Sequence, residues 1–287
     1  MSDLIILLNQ NSLLFSMIVF MIGLLFGSFY NVVIYRLPII LKQQWDAELA
    51  IHLGQSEKPM PRFNIAWPSS HCPHCQHKLH WWHNIPLISY IILKGQCHFC
   101  QHKISMRYPL VELLTATIWA ILAVRYGFQI NLFAALILSS FLIILMMIDF
   151  DTQLLPDSLT LSCLWIGLLF NIRPVFCFSH MAIYGAVAGY LTLWIISSLF
   201  QWIRKKPGMG HGDMKMLAML GAWFGILQIY YCLFLAVMIG LAMAGFFLLT
   251  KKMKKDTPMP FGPALASAGL IFLIIQPSLP WPLLILS

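Results

Sequence analysis

Two acids stand out because of what surrounds them. Asp213 lies in Gly208-Met209-Gly210-His211-Gly212-Asp213-Met214-Lys215, at the mouth of an apolar segment, and another apolar segment ends in Met147-Ile148-Asp149-Phe150-Asp151. A carboxylate at a bilayer centre costs roughly 2.5–3.5 kcal/mol even on the lenient insertion scale, so acids this close to lipid are rare. Two of them on two separate segments point to a site. Facing carboxyl groups that share one proton suit one kind of chemistry. The ionised group takes a proton from water, and the protonated group polarises a carbonyl and then protonates the leaving amine. That is aspartyl peptide hydrolysis, which needs neither a covalent intermediate nor a metal.

Asp149 and Asp151 are two residues apart, so a helix turns them to nearly opposite sides and only one can face a partner squarely. Asp149 lies deeper in the apolar run and is the first choice, with Asp151 second. Pro156 cannot continue a regular helix and biases Leu155 towards an extended form. A break is therefore expected there, with a new helix from Asp157, whose acid is placed to cap it. Glycine permits close backbone approach, and Gly210 and Gly212 are expected to give an extended peptide room beside the acids. The other readings of this run are a plain flexible connection or a nucleotide loop. The nucleotide reading lacks the soluble strand that should precede it and the βαβ unit that should follow. Lys215 either anchors its segment or pairs with a carboxylate, and Glu112 either caps its helix or pairs with Arg107. Outside the 36–109 connection the only histidines are His180 and His211, which leaves few bases for a Ser or Cys nucleophile.

A second chemistry is written in Cys72-Pro73-His74-Cys75 and Cys97-His98-Phe99-Cys100. Two C-x2-C knuckles in one polar connection match a structural zinc pattern, because each knuckle can turn two soft thiolates towards one ion. Two disulfides are the alternative, disfavoured in a reducing cytoplasm. His71, His74, His77, His80, His83, His98 and His102 share the segment. Four thiolates already fill a tetrahedral site, so the zinc is expected to be structural, not catalytic. Metal binding would supply folding energy that so small a core lacks. Cys163, Cys177 and Cys232 fall in or beside apolar spans and read as packing residues. Trp81 and Trp82 read as interfacial anchors or substrate contacts. Trp45, Asp46, Glu48, His52 and Glu57 lie in a polar stretch read as a loop or an interfacial helix.

These residues need a membrane to hold them. Of 287 residues, 60% are hydrophobic and only 10% charged, against about 25% charged in a soluble domain, and the mean hydropathy is +0.79. Such a composition excludes a soluble globular enzyme. Only Asp3 precedes the first apolar run, which continues into Gly27-Ser28-Phe29-Tyr30 instead of a cleavage site, so a retained first span is expected. Spans are expected near 13–35, 110–126, 131–149, 158–172, 180–202, 214–229, 230–250 and 262–285. The expected fold is an all-α polytopic membrane protein of about eight transmembrane helices. Residues 1–35 form the first transmembrane helix, 36–109 a small cytoplasmic four-cysteine module, and 110–287 a seven-helix membrane peptidase domain. Every Lys and Arg except Arg125 and Arg173 falls in the connections 36–109, 203–215 and 251–260 or their flanks. By the positive-inside rule those connections are cytoplasmic, and both termini lie outside. The net charge of +8 is then a topology signal rather than a nucleic-acid footprint. Asp149 closes a span returning to the cytoplasm and Asp213 opens one leaving it, so both acids lie on one side at similar depth. In 214–250 no charge separates two spans, and only Gly225 and Gln228 hint at a turn.

Several motifs together carry a resemblance. They are Gly27-Ser28-Phe29-Tyr30-Asn31-Val32-Val33-Ile34-Tyr35-Arg36-Leu37-Pro38, the four-cysteine module with Asn84-Ile85-Pro86, and Arg107-Tyr108-Pro109 with Glu112. Asp149 with Leu155-Pro156-Asp157 and Gly210-His211-Gly212-Asp213-Met214-Lys215 complete the set. Over nearly the whole chain they resemble the bacterial type IV prepilin peptidases. The Gly-x-Gly-Asp run is also similar to that of presenilin-type intramembrane aspartyl proteases. The resemblance implies a multi-pass enzyme of a Gram-negative inner membrane with its active site on the cytoplasmic side. It implies that type IV prepilins and type II secretion pseudopilins are cut after the Gly that ends a short basic leader. The same enzyme would then N-methylate the new N-terminal residue, usually Phe, using S-adenosylmethionine. The family's two catalytic aspartates map onto Asp149 and Asp213. Methyl transfer is associated with the cytoplasmic module, but 36–109 is too short for a Rossmann methyltransferase, so no S-adenosylmethionine ligand is assigned. Some members lack the cysteines, which makes zinc (Zn2+) a support for the module rather than a requirement of cleavage.

Other classes compete. A peptidase without methyl transfer is one. A proton-coupled transporter would want acids near the midplane and half-to-half repeats, which the chain does not show. A non-catalytic zinc-bearing assembly factor would lose function with its cysteines and not with its aspartates. Neither the oligomeric state nor the groove that docks a pilin helix is written in the sequence.

Overall fold

The computed structural model describes residues 11–54, 63–206, 208–250 and 260–275; Asp3, Glu57, the basic run 251–259 and the far end of the eighth expected span lie outside them. Among the described residues the chain is helical, with no strand beyond two isolated bridges. It divides into two units, Met1–Val124 and Arg125–Ser287.

In the first unit, helix α1 is Ser12–His52, 41 residues long, or about 60 Å at 1.5 Å per residue. It continues well past the expected span end at 35. Lys42, Gln43, Gln44, Ala47, Glu48, Leu49 and Ala50 are good helix formers and nothing among them breaks the helix. Trp45, Asp46, Glu48 and His52 are therefore helical, not looped. A 3-10 turn, Trp81–Asn84, and a short helix α2, Ile88–Ile92, follow. Helix α3, Arg107–Tyr126, meets α1 through the pair Gly23-x-x-x-Gly27. A Cβ at Gly23 would stand 2.8 Å from the Ala116 Cα, and one at Gly27 2.7 Å from the Glu112 Cα. Lipid tails are as apolar as Leu, so helices in a bilayer gain from close backbone packing, which small residues allow. Phe26 closes the contact against Trp119, ring centroids 4.9 Å apart.

The second unit holds α4 (Ile130–Thr152), α5 (Asp157–Phe170), α6 (Ser179–Arg204), α7 (His211–Phe224), α8 (Ile226–Leu249) and α9 (Gly262–Ile275). Helix α7 is its core. Every residue from Met216 to Phe224 is buried, and α5, α6, α8 and α9 all pack on it. Glycines again set the closest approach. A Cβ at Gly189 would lie 2.7 Å from the Leu217 carbonyl oxygen, and one at Gly185 would strike that of Gly221. Trp223 lies over Gly167 and donates its Nε1–H to the Cys163 carbonyl at 2.9 Å. Buried Asn171 donates to the Ala222 and Trp223 carbonyls and accepts from the Phe176 and Cys177 N–H groups. One side chain thus satisfies the end of α7 and the loop before α6. The turn in 214–250 falls at Gly225, φ +85°, which ends α7 and starts α8; only glycine adopts that backbone without strain.

Among the described residues five helices, α1, α3, α4, α6 and α8, are long and apolar enough to cross a membrane, so this is a multi-pass membrane protein. Each of the eight expected spans corresponds to a helix, but α5 and α7 have only 14 residues. Fourteen residues reach about 21 Å, short of a hydrocarbon core about 30 Å thick. Helix α7 is accordingly sheltered by its longer neighbours instead of crossing lipid alone.

Candidate active site

Helix α4 carries Asp149 in its last turn. The helix ends at Thr152 because Gln153 turns left-handed, φ +55°, and returns its N–H to the Asp149 carbonyl at 2.9 Å. Pro156 is the N-cap of α5. Asp157 follows in the first turn and does not cap it; its carboxylate instead receives Lys215 Nζ at 2.6 and 2.7 Å. Helix α7 opens after Gly210, with Asp213 in its first turn. The loop that follows Asp149 meets the start of α7 where Leu155 packs on Gly212, next to Asp213. Asp149 is only 4% exposed, and its Oδ2 is buried without a hydrogen-bond partner. Such an oxygen is costly unless it holds a proton or a ligand. Asp151 is exposed on α4, as two-residue spacing on a helix requires.

The alternating glycines do not supply a left-handed backbone; Gly210 gives room and Gly212 gives close packing. Gly210 has φ −70°, and the nearest atom to a Cβ built there is Asp213 Oδ2 at 3.8 Å, so the space beside the second acid is open. A Cβ at Gly212 would fall 2.8 Å from the Leu155 Cβ. Leu155 thereby connects the loop after α4 to the start of α7.

Gly262 enters the same site, and sequence reasoning missed it. Gly262, at the start of α9, packs directly against the Asp149 carboxylate. A Cβ built on Gly262 would come 2.5 Å from Asp149 Oδ2 and 3.2 Å from Leu155 Cδ2. The only local hint is Gly262-Pro263 opening an apolar run, a common enough helix start to escape notice.

The first unit holds the cysteine site. The Sγ atoms of Cys72, Cys75, Cys97 and Cys100 all lie within 4.8 Å of one another, and Cys72 to Cys100 is 3.9 Å. Four sulfurs at about 2.3 Å from one tetrahedral ion would be about 3.8 Å apart. All four are free thiols, not disulfides. Burial opposes ionisation of Cys97, but the Cys100 and Phe99 N–H groups and the Cys72 and Cys100 sulfurs outweigh it and bring the thiol down to about 7. The knuckles are near copies, C-x2-C-Gln-His-Lys at 72–78 and 97–103, a repeat the sequence displays. Each is closed by one bridge, His71 to Lys78 and Gln96 to Lys103. Their rings pair reciprocally, His74 on His102 at 4.4 Å and Phe99 on His77 at 4.8 Å. The copies are thus related by a local two-fold.

The remaining motifs of this unit converge on the α1–α3 contact. Buried Glu112 accepts the Leu87 N–H at 2.9 Å, and Asn31 donates to the Tyr108 carbonyl at 3.1 Å. Arg36 donates to the carbonyls of Asn64, Ile65 and Pro68. These contacts fasten the loops around the cysteine module to the two helices; Glu112 reaches a loop instead of capping its own helix.

Comparison with known proteins agrees in extent with this architecture. Residues 21–126 match the model of the bacterial peptidase A24 N-terminal domain, and residues 136–245 that of the type IV leader peptidase family. The prepilin leader peptidase/N-methyltransferase of Stutzerimonas stutzeri is 43% identical, covering 93% of each chain. That of Pseudomonas aeruginosa is 42% identical over 93% of this chain and 92% of its own. The Dickeya chrysanthemi protein of the same name is 39% identical over 96% of this chain and 97% of its own. No solved structure gives a significant match.

Proposed function

This chain belongs to the type IV leader peptidase family, and we propose on that footing that it is an inner-membrane aspartyl peptidase with a second, methyl-transferring activity. It removes the leader of type IV prepilins and type II secretion pseudopilins after Gly. Asp149 and Asp213 are the catalytic pair, on the cytoplasmic side of the membrane. The observation that carries the reading is a buried carboxylate on α4 whose Oδ2 has no partner, followed by a loop in which Leu155 packs on Gly212, the residue before Asp213 in the first turn of α7.

In the reaction, the ionised member of the pair takes a proton from a water as that water attacks the scissile carbonyl. The other member donates a hydrogen bond to the carbonyl oxygen. The C–N bond then breaks, and the leaving amine takes up a proton. Gly210 lets an extended peptide backbone approach, while Gly212 lets Leu155 pack against the start of α7. S-adenosylmethionine, when bound, would supply the methyl group for the new α-amine. No residue of this chain is assigned to that step. Cys72, Cys75, Cys97 and Cys100 would hold one zinc ion, which would fix the fold of the module and take no part in hydrolysis.

Cleavage of a prepilin in liposomes by wild type, Asp149→Asn, Asp151→Asn and Asp213→Asn tests the pair. Loss in the first and third variants with retention in Asp151→Asn is expected; normal processing by Asp149→Asn or Asp213→Asn would sink the assignment.

A further inference from the structure

The first turn of α9 has few donors to offer. Pro263 has no N–H, and the N–H groups of Ala264 and Leu265 both turn back to the Phe261 carbonyl at 3.0 and 3.1 Å. The Gly262 N–H is the donor left over, and Gly262 stands against the Asp149 carboxylate. Helix N-termini carry partial positive charge from such unspent N–H groups. Asp149 Oδ2 is at the same time buried and without a partner. Close packing of the Gly262 backbone orients this carboxylate, and the unpartnered Oδ2 is the oxygen that can exchange a proton. The lack of a side chain at 262 is what lets α9 come this close, since a Cβ there would stand 2.5 Å from that oxygen.

We propose that Gly262 is a positioning residue of the peptidase, whose backbone and missing side chain hold the Asp149 carboxylate so that Oδ2 is the oxygen that meets water or the shared proton. The inference rests on the aspartyl reading above. It adds a third element, α9, to a site that α4 and α7 would otherwise make alone. A 1 Å misplacement of a reacting group can cost on the order of 100-fold in rate. Displacement by a methyl group at 262 is of that size.

The test uses the full chain in liposomes with a prepilin substrate, and reads kcat and KM per inserted molecule for wild type, Gly262→Ala and Gly269→Ala. Gly269 lies on the same helix, and a Cβ there meets only side chains, Leu220 Cδ2 at 2.8 Å and Leu142 Cδ1 at 3.1 Å. Gly262→Ala is expected to lose kcat by roughly 100-fold with KM little changed, and Gly269→Ala to keep kcat within a few-fold of wild type. Equal kcat loss in both variants, or a Gly262→Ala loss confined to KM, would overturn the proposal. Should Gly262→Ala fail to insert, Asp149→Ala/Gly262→Ala decides. Relief of the contact restores insertion to the level of Asp149→Ala alone if the geometry is right, and continued failure refutes it. Asp149→Asn run alongside separates this outcome from failure of the aspartyl reading, because full cleavage by that variant condemns the pair itself and not only Gly262.

Discussion

Asp149 and Asp151 show how much one helical turn decides. The same helix buries the first and exposes the second, so substitution should separate them. General acid–base groups contribute about 100- to 10,000-fold; Asp149→Asn is expected to lose at least about 100-fold in prepilin cleavage, and Asp151→Asn no more than a few-fold. Asp157 and Lys215 are a different case. Their ion pair is short at 2.6 Å, but the side chains are 57% and 28% exposed, and exposed pairs are worth about 0–1 kcal/mol. Asp157→Asn is therefore expected to lower stability by less than about 1 kcal/mol and to leave cleavage measurable, despite lying so near Asp149 in the chain. A complete loss of cleavage in a well-inserted Asp157→Asn protein would show that the pair positions α7 more strictly than its energy suggests. The candidacy of Asp149 over Asp151 was legible from depth in the apolar run. The partner of Asp157 was not, because capping and ion pairing place the same residue type at the same helix start.

At the scale of elements, the close crossings depend on single small or fully bonded side chains. Asn171 serves two carbonyls and two N–H groups, all within the second unit. Each buried polar group left unpaired costs about 1–3 kcal/mol, so Asn171→Ala should destabilise the second unit by at least about 2 kcal/mol, read from thermal unfolding in detergent. An unchanged melting temperature would mean that water replaces the side chain at no net loss. The cysteine knuckles are the counterpart in the first unit. Two short turns with one bridge each make little core, so their order should depend on the proposed zinc ion. Removing zinc by chelation, or Cys97→Ser, is expected to release the metal and open the 63–106 segment to limited proteolysis. Protease resistance that survives proven loss of metal would count against a folding role.

For the whole molecule, the division into two units places the aspartates in one and the cysteines in the other. Loss of zinc should consequently leave more prepilin cleavage than loss of either aspartate, measured side by side in liposomes. Equal loss would show that the dyad needs the folded module. Methyl transfer is a separate prediction at this scale. Labelled methyl from S-adenosylmethionine should appear on cleaved pilin, and Asp213→Asn should still methylate pilin that has been cut beforehand. Cleaved pilin that stays unlabelled at saturating S-adenosylmethionine would leave a peptidase alone.

The sequence by itself determined what depends on composition and local period. Apolar runs set the helices, the Lys and Arg distribution set an expected sidedness for both acids, and C-x2-C spacing set the sulfur cluster. Pro156 marked where α4 must stop. Tertiary structure alone decided what depends on approach between distant parts. Gly262 beside Asp149, Lys215 on Asp157 and Asn171 across the end of α7 leave no periodic trace, because each is a contact between residues far apart in the chain. The length of α1 and the turn at Gly225 lie between these extremes. Good helix formers carry α1 beyond its apolar part, and an uncharged junction hides the turn from hydropathy, while the φ of +85° that makes Gly225 the turn is a property of the folded backbone.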